Sequence, residues 1–198
     1  MPRLMDTDSA KSQTRTRIIR RTGTIQGYRE DLGNGVTLLM VLIPTGQFTM
    51  GSPSFDRFDS EGPQHEVYFP HDFFMGMYPI TQTQWKALAS IDFTNTKQTL
   101  NKNCSQFNGD NLPIEQVNWY EAQDFCDRLT ILTKRSYDLP TEAEWEYACR
   151  AGTKTPFSFG ETITTDIVNY KGSDRHGGSN SNGSIVVSGR SSLSRSGK

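Results

Sequence analysis

The sequence predicts an α+β fold, with strands in the first part of the chain and helices after them. Short apolar segments bounded by glycine and proline occupy residues 36–75, as is typical of strands. Three later segments combine a helix start signal with an apolar stripe. Because strands precede helices and do not alternate with them, a parallel βαβ arrangement is excluded. The 198 residues leave room for one full domain with tails.

The predicted strands follow one another closely. Residues 36–43 (VTLLMVLI) indicate a buried strand between Gly35 and Pro44. The turn residues at 44–46 and the polar–apolar alternation at 47–50 predict that residues 47–50 return beside this first strand as a hairpin. Residues 66–69 and 72–75 predict two further strands, separated by Pro70.

Each predicted helix begins at a residue suited to capping the helix N-terminus. Thr81, Asn118 and Thr141 are each followed three residues later by Gln or Glu, the pattern of a capping box. The apolar stripes that follow are Trp85, Leu88 and Ala89 in the first helix, Ala122, Phe125, Cys126 and Leu129 in the second, and Trp145, Ala148 and Cys149 in the third. Residues 92–113 are rich in Asn and Thr, and we predict no regular element there. We expect Trp145 to be a buried anchor of the core.

Charge and composition divide the chain into three parts. Residues 1–27 hold six Arg or Lys and two Asp, and we interpret them as a basic flexible arm. Residues 28–170 hold ten basic and nineteen acidic residues and form the folded domain. Residues 171–198 contain nine Ser and six Gly. Such a segment buries too little apolar surface to offset its ordering entropy, so we predict a disordered tail.

The composition also argues against several classes of protein. The longest apolar run, residues 38–43, is far shorter than the roughly 20 residues of a membrane span. The polar, basic N-terminus does not resemble a secretory signal, so we expect a cytoplasmic protein without a membrane partner. The cluster Arg15, Arg17, Arg20 and Arg21 is interpreted as a solvated arm rather than as a nucleic-acid site.

The cysteines and histidines do not form a recognisable catalytic or metal motif. Cys126 and Cys149 lie on predicted apolar helix faces and are interpreted as buried packing residues, whereas Cys104 is expected to be more exposed and could be reactive. Three cysteines without a CxxC pair argue against a disulfide framework and a four-cysteine zinc site. His65 and His71 flank one strand and are interpreted as structural, and His176 lies in the tail.

Three carboxylates in the third predicted helix resemble an acid–base cluster. They are Glu142, Glu144 and Glu146. Acidic side chains in the first turn of a helix are, however, favoured by the helix dipole. We therefore interpret this cluster as structural.

Several ordered motifs resemble the formylglycine-generating enzyme (sulfatase-modifying factor) family. The resemblance begins with FTMG at 48–51, EGPQHEV at 61–67 and FMGMYPIT at 74–81, followed by Trp85. It continues with NLP at 111–113 and VNWYEA at 117–122, followed by Phe125 and Cys126. Its most specific block is LPTEAEWEYACRAGT at 139–153. Together these motifs cover some 130 residues.

The resemblance implies a C-type-lectin-like fold and, for active members, a copper-dependent oxidation. The family substrate is a sulfatase-type, cysteine-containing polypeptide, whose cysteine becomes Cα-formylglycine. Cu(I) prefers soft thiolate ligands, and the family holds it with a cysteine pair. None of Cys104, Cys126 and Cys149 matches that pair, so no catalytic residue is carried over. Asn169 matches a calcium-binding asparagine of the family, and the carbonyl of Tyr170 would also be a ligand.

The resemblance fades near Tyr170, where the Ser/Gly-rich composition begins. This change is typical of a truncated or frame-shifted reading frame, so we expect an incomplete domain without oxidase activity. Two alternatives remain open. A partner could supply the missing thiolates, or the chain could be a non-enzymatic, lectin-like binding module that displays residues 92–111. A shortened domain would also leave residues 38–43, Phe73, Phe74 and Trp119 partly uncovered, which favours self-association.

Overall fold

A computed structural model describes residues 23–52, 62–93, 99–158, 160 and 190–192. The strands are β1 (Gly27–Asp31), β2 (Thr37–Ile43), β3 (Gly46–Met50), β4 (His65–Phe69), β5 (Phe73–Gly76), β6 (Ser136–Asp138) and β7 (Arg190–Ser192). The helices are α1 (Gln82–Ala89), α2 (Trp119–Thr133) and α3 (Glu142–Arg150). Strands dominate the first part of this order and helices the second, so the predicted α+β class is confirmed.

Five strands form an antiparallel sheet in the order β1-β2-β5-β7-β6. β2 lies inside it and has the apolar sequence that predicted a buried strand. The sequence did not predict β1, because its alternating polar residues are those of an edge strand. β1 turns into β2 through Gly33, Asn34 and Gly35, all of which have positive φ. Glycine adopts this conformation without steric cost, and asparagine tolerates it better than most residues.

The predicted hairpin between residues 36–43 and 47–50 is wrong. β3 pairs with β4 in a separate two-stranded sheet, in which Phe48 lies opposite Val67. Thr45 explains the change of direction, because its backbone N–H donates to Asp72 Oδ1 (2.6 Å) and its hydroxyl donates to the carbonyl of Phe69 (2.6 Å). These bonds tie the turn after β2 to the connection between β4 and β5.

The capping boxes at Thr81, Asn118 and Thr141 are all present, so the predicted helix starts are confirmed. In each box the cap side chain accepts from the backbone N–H three residues on, and the Gln or Glu there accepts from the backbone N–H of the cap. Each cap is worth about 1 kcal/mol of stability. The cap residue after α3, Ala151, has the left-handed conformation, and Gly152 next to it also has a positive φ.

The main core lies between the five-stranded sheet and helices α1 and α2. Leu38 and Met40 from β2 are buried there with Trp85 and Leu88 of α1 and Phe125 of α2. A second apolar cluster joins β3, β4, β5 and α3 through Phe48, Phe69, Phe73 and Tyr147.

Trp145 is not the predicted core anchor: 45% of its surface is exposed. α3 instead packs Tyr147 onto the second sheet, where its ring lies 4.7 Å from that of Phe69. The hydroxyl of Tyr147 also donates to the carbonyl of Pro44 (3.2 Å). Because Tyr147 faces the sheet, Trp145 and Cys149 face solvent. The prediction that Cys149 is buried is therefore wrong, whereas Cys126 is buried as expected.

The ends of the chain are described only in part. Gly27, assigned to the basic arm, begins β1, and residues 190–192, assigned to the tail, form β7 between β5 and β6. Residues 1–22, 161–189 and 193–198 lie outside the described residues, so the three-part division remains a prediction.

Candidate functional site

The three thiols lie on three different elements and are all free. Cys104 is on the connection between α1 and α2, Cys126 is in α2 and Cys149 is near the end of α3. Burial strongly raises the pKa of Cys126, because the core disfavours the thiolate. Burial also raises the pKa of Cys104, and the negative charges of Glu121 and Glu115 add to the increase. Burial therefore disfavours the thiolate at both positions.

The histidines and acidic residues do not form a metal-binding cluster in the described part of the chain, where no group of three or more His, Cys, Asp or Glu residues could hold an ion. His65 begins β4, and its Nδ1 lies 3.1 Å from the carbonyl oxygen of Pro63. His71 lies in the connection from β4 to β5. Asn169, Tyr170 and His176 lie outside the described residues, so the calcium site remains a prediction.

Two of the three candidate carboxylates of α3, Glu144 and Glu146, have structural partners. Glu144 accepts from the backbone N–H and the hydroxyl of Thr141 in the capping box. Glu146 pairs with Arg150, with Oε1 and Nη2 2.6 Å apart. Both contacts support the structural interpretation of these carboxylates and give no indication of an acid–base pair.

The buried side chain of Gln82 holds the middle of the connection between α1 and α2. Its Nε2 donates to the carbonyl of Phe107 (2.7 Å), and its Oε1 accepts from the backbone N–H of Gly109 (3.2 Å). This fixed backbone leaves Phe107 65% exposed. The sequence predicted an irregular connection here but not its anchor, because a glutamine at the start of a helix has no special meaning in sequence.

The first turn of α2 presents a second exposed aromatic group. Trp119 and Tyr120 are 56% and 67% exposed, and their rings meet edge to face with centroids 5.3 Å apart. Trp119, which the sequence predicted to be uncovered, is exposed. Of the other residues in that prediction, Leu38 and Phe73 are buried and Phe74 is half-buried. The aromatic surface around the α1–α2 connection is therefore the strongest candidate functional site.

A buried ion pair on α2 was not predicted. Arg128 Nε donates to Asp124 Oδ2 (2.7 Å), and both side chains are almost fully buried. Arg128 Nη1 also lies 3.4 Å from the carbonyl oxygens of Leu88 and Ile91. These contacts satisfy backbone groups at the end of α1, which indicates a structural role.

The fold and the site together define an α+β domain with an exposed aromatic surface and separated thiols. The chain belongs to the family described as the sulfatase-modifying factor enzyme 1-like domain, whose sequence model matches residues 34–189. The match confirms the resemblance seen in the motifs and continues beyond Tyr170, where that resemblance fades.

Individual relatives are distant and longer. The chain is 27% identical over 171 residues to the protein of Bos taurus named inactive C-alpha-formylglycine-generating enzyme 2, covering 66% of this chain and 54% of the relative. It is 27% identical over 117 residues to chaperone protein LppX of Paenibacillus barcinonensis, covering 42% of this chain and 38% of the relative. The chain therefore spans about half, or less, of the length of these curated relatives.

A solved structure supports the fold. PvdO from Pseudomonas aeruginosa matches with a TM-score of 0.54 and 25% identity, over 70% of this chain and 54% of that one. This similarity confirms the fold of the formylglycine-generating enzyme family. Among the described residues, no helix is long and apolar enough to cross a membrane.

Proposed function

We propose that this chain is a member of the family that does not oxidise cysteine. The observation that carries the proposal is the placement of its thiols. Copper chemistry of the kind the resemblance implies needs two thiolates at one ion. Here Cys126 is sealed in the core, Cys149 is exposed on another helix, and Cys104 lies on a loop. This donor set does not fit a Cu(I) site.

The name of one relative supports the same proposal. The Bos taurus protein is called inactive, and a second protein with that name, from Mus musculus, is 28% identical over 166 residues. Loss of activity is therefore a named property of relatives that this chain resembles.

The test combines copper binding, thiol labelling and a peptide-oxidation assay. We expect no conversion of a sulfatase-type cysteine peptide, with or without added copper. Cys149 should react with a thiol reagent first, Cys104 more slowly, and Cys126 only when the protein unfolds, because only thiolates that solvent can reach react quickly. Turnover that Cys104→Ser abolishes would overturn the proposal.

The alternative of a shared site requires thiolates from another protein. It predicts oxidation that appears only when a second chain is added. That result would support an oxidase assembled from two chains. It would contradict the proposal that this chain has a role independent of cysteine oxidation.

A second candidate function is that of a non-enzymatic, ligand-binding module. The exposed aromatic rings beside a fixed loop favour it, since Gln82 holds the backbone that presents Phe107. Aromatic rings supply large contact areas at low entropic cost. A peptide and glycan array would test this candidate, and Phe107→Ala should reduce any binding found. An array without a ligand would contradict it.

A further inference from the structure

β7 is a short strand that fills a gap inside the five-stranded sheet. It lies between β5 and β6, and it pairs with β6 over three residues and with β5 through one, Ser191 opposite Phe74. Such a strand is held by only a few backbone hydrogen bonds. Its release is therefore a local opening that leaves the core intact, and local openings cost less than global unfolding.

β6, on one side of the gap, is held in place without β7. The backbone N–H of Tyr137 donates to Thr130 Oγ1 on α2 (2.8 Å), and the hydroxyl of Tyr137 donates to the carboxylate of Glu30 on β1. Glu30 Oε2 also pairs with Arg135 Nη1 (3.1 Å), directly before β6. β1 and β6 are the two ends of the sheet order, so these side chains join them by a route that does not pass through β7.

β5, on the other side of the gap, is also held independently. It pairs with β2 over four residues, from Phe73 opposite Ile43 to Gly76 opposite Met40. Phe73 and Met75 are buried. Because neighbouring strands lie about 4.8 Å apart, β5 and β6 enclose a slot about 9.6 Å wide, which is the room needed by one strand.

The slot has a strong requirement for an extended backbone. Without β7, the facing edges of β5 and β6 would present unpaired N–H and C=O groups to each other. A single strand satisfies both edges at once, and main-chain hydrogen bonds supply most of its affinity. The slot therefore accepts a strand on the basis of its backbone, whichever copy of the chain provides it.

The chain that leads to β7 is long enough to reach another molecule. Residues 161–189 lie between Gly160 and the start of β7. Fully extended chain spans about 3.3–3.6 Å per residue, so this connection reaches up to about 100 Å. A domain of this size has a radius of gyration of about 15 Å. The length of the connection therefore permits β7 to enter the slot of a neighbouring copy.

We propose that the slot between β5 and β6 accepts residues 190–192 of a second copy of this chain in place of the chain's own β7. The strand makes the same backbone contacts in either slot, so exchange sacrifices no pairing and is a low-cost route to a dimer. The balance between the two arrangements is set by protein concentration against the effective concentration of the tethered strand. The inference is independent of the proposed function, because it uses neither a thiol nor the aromatic surface.

The test uses disulfide cross-linking of full-length chains. Ser136 lies opposite Ser192, and opposite residues of an antiparallel pair have Cα atoms about 4.5–5.5 Å apart, within disulfide range. Chains with Ser136→Cys are mixed with chains with Ser192→Cys, one of them labelled with heavy nitrogen, and are oxidised with glutathione disulfide. All chains also carry Cys104→Ser and Cys149→Ser. Mass spectrometry should find a mixed, disulfide-linked dimer whose yield rises with protein concentration.

Two controls separate strand exchange from general association. Asp138→Cys with Ser192→Cys places the thiols diagonally across the ladder, about 7–8 Å apart at Cα, which is beyond the usual disulfide range. This mixture should give little dimer. Ser191→Pro in the chain with Ser192→Cys should abolish the matched dimer, because an interior strand does not accept proline. Ser184→Pro, in the connection before β7, should leave the yield unchanged.

Three results would overturn the proposal. The double variant Ser136→Cys/Ser192→Cys could form only the disulfide within one chain at every concentration, which would show that β7 stays in its own slot. Absence of any cross-link in both the double variant and the mixture would show that residues 190–192 do not occupy the slot. Equal yields from the matched and diagonal mixtures would assign the dimer to association through another surface.

Discussion

Trp85 of α1 stacks flat on Phe125 of α2, with ring centroids 5.3 Å apart and planes within 2° of parallel. Both side chains are almost completely buried. The indole N–H of Trp85 donates to the carbonyl of Asn101 (2.9 Å), so its polar atom is satisfied inside the core. This contact joins α1, α2 and the connection between them.

The two tryptophans on α1 and α3 should differ sharply in their effect on stability. Trp85→Ala should lower the free energy of unfolding by about 3–5 kcal/mol, because it leaves a large cavity. Trp145→Ala should lower it by about 1 kcal/mol or less, because the side chain is nearly half exposed. Urea denaturation of both variants measures the difference. Equal losses would mean that α3 contributes Trp145 to the core after all.

The buried pair Asp124–Arg128 gives a second prediction. Arg128→Met should destabilise the protein by about 3–5 kcal/mol, because it leaves the Asp124 carboxylate buried without its partner. Asp124 Oδ1 already has no hydrogen-bond partner among the described residues, which increases the cost. The double variant Asp124→Leu/Arg128→Met should recover much of the loss, since an apolar pair needs no desolvation of charge. Thermal unfolding of the single and double variants measures the coupling, and purely additive losses would contradict it.

Local and distant interactions explain which parts of the fold the sequence predicts. The caps Thr81, Asn118 and Thr141 are predictable because both halves of each capping box lie within three residues. The strand that pairs with β3 is not predictable from the sequence, because the choice between β2 and β4 depends on the contacts of Thr45 with residues more than 20 positions away. β6 is only three residues long and has no period to detect.

The sequence likewise predicts some features of the candidate site and not others. The sequence predicts the free thiols and the buried face that contains Cys126. It does not decide whether α3 packs through Tyr147 or through Trp145, because both faces of this helix carry an aromatic side chain. The contact of Glu115 with the loop backbone at Phe107 also escapes prediction, since it joins residues of an irregular connection.

Tyr137 should make the protein sensitive to alkaline pH. Burial raises its pKa well above the ordinary value of 10, and hydrogen bonds to Glu30 and Tyr28 add to the increase. The folded state therefore binds the phenol proton of Tyr137 more tightly than the unfolded state does. The resulting stabilisation is fully present below the unfolded pKa of about 10 and is lost as pH rises towards the folded pKa. Unfolding measured between pH 8 and pH 11 should show this loss. Tyr137→Phe should flatten the profile above pH 10, whereas the exposed control Tyr68→Phe should not.

Self-association should occur through the exposed face of α3. The edge strand β1 is a poor candidate, because it carries Arg29, Glu30 and Asp31 and charged edges resist pairing. Trp145 offers an exposed apolar side chain on α3. We therefore expect reversible association in sedimentation velocity at raised protein concentration, together with binding of a hydrophobic dye. Trp145→Ser should reduce both signals, whereas Tyr68→Ser, which removes a more exposed ring on β4, should not. A protein that stays monomeric and binds no dye would show that this face of α3 is adequately solvated without a partner.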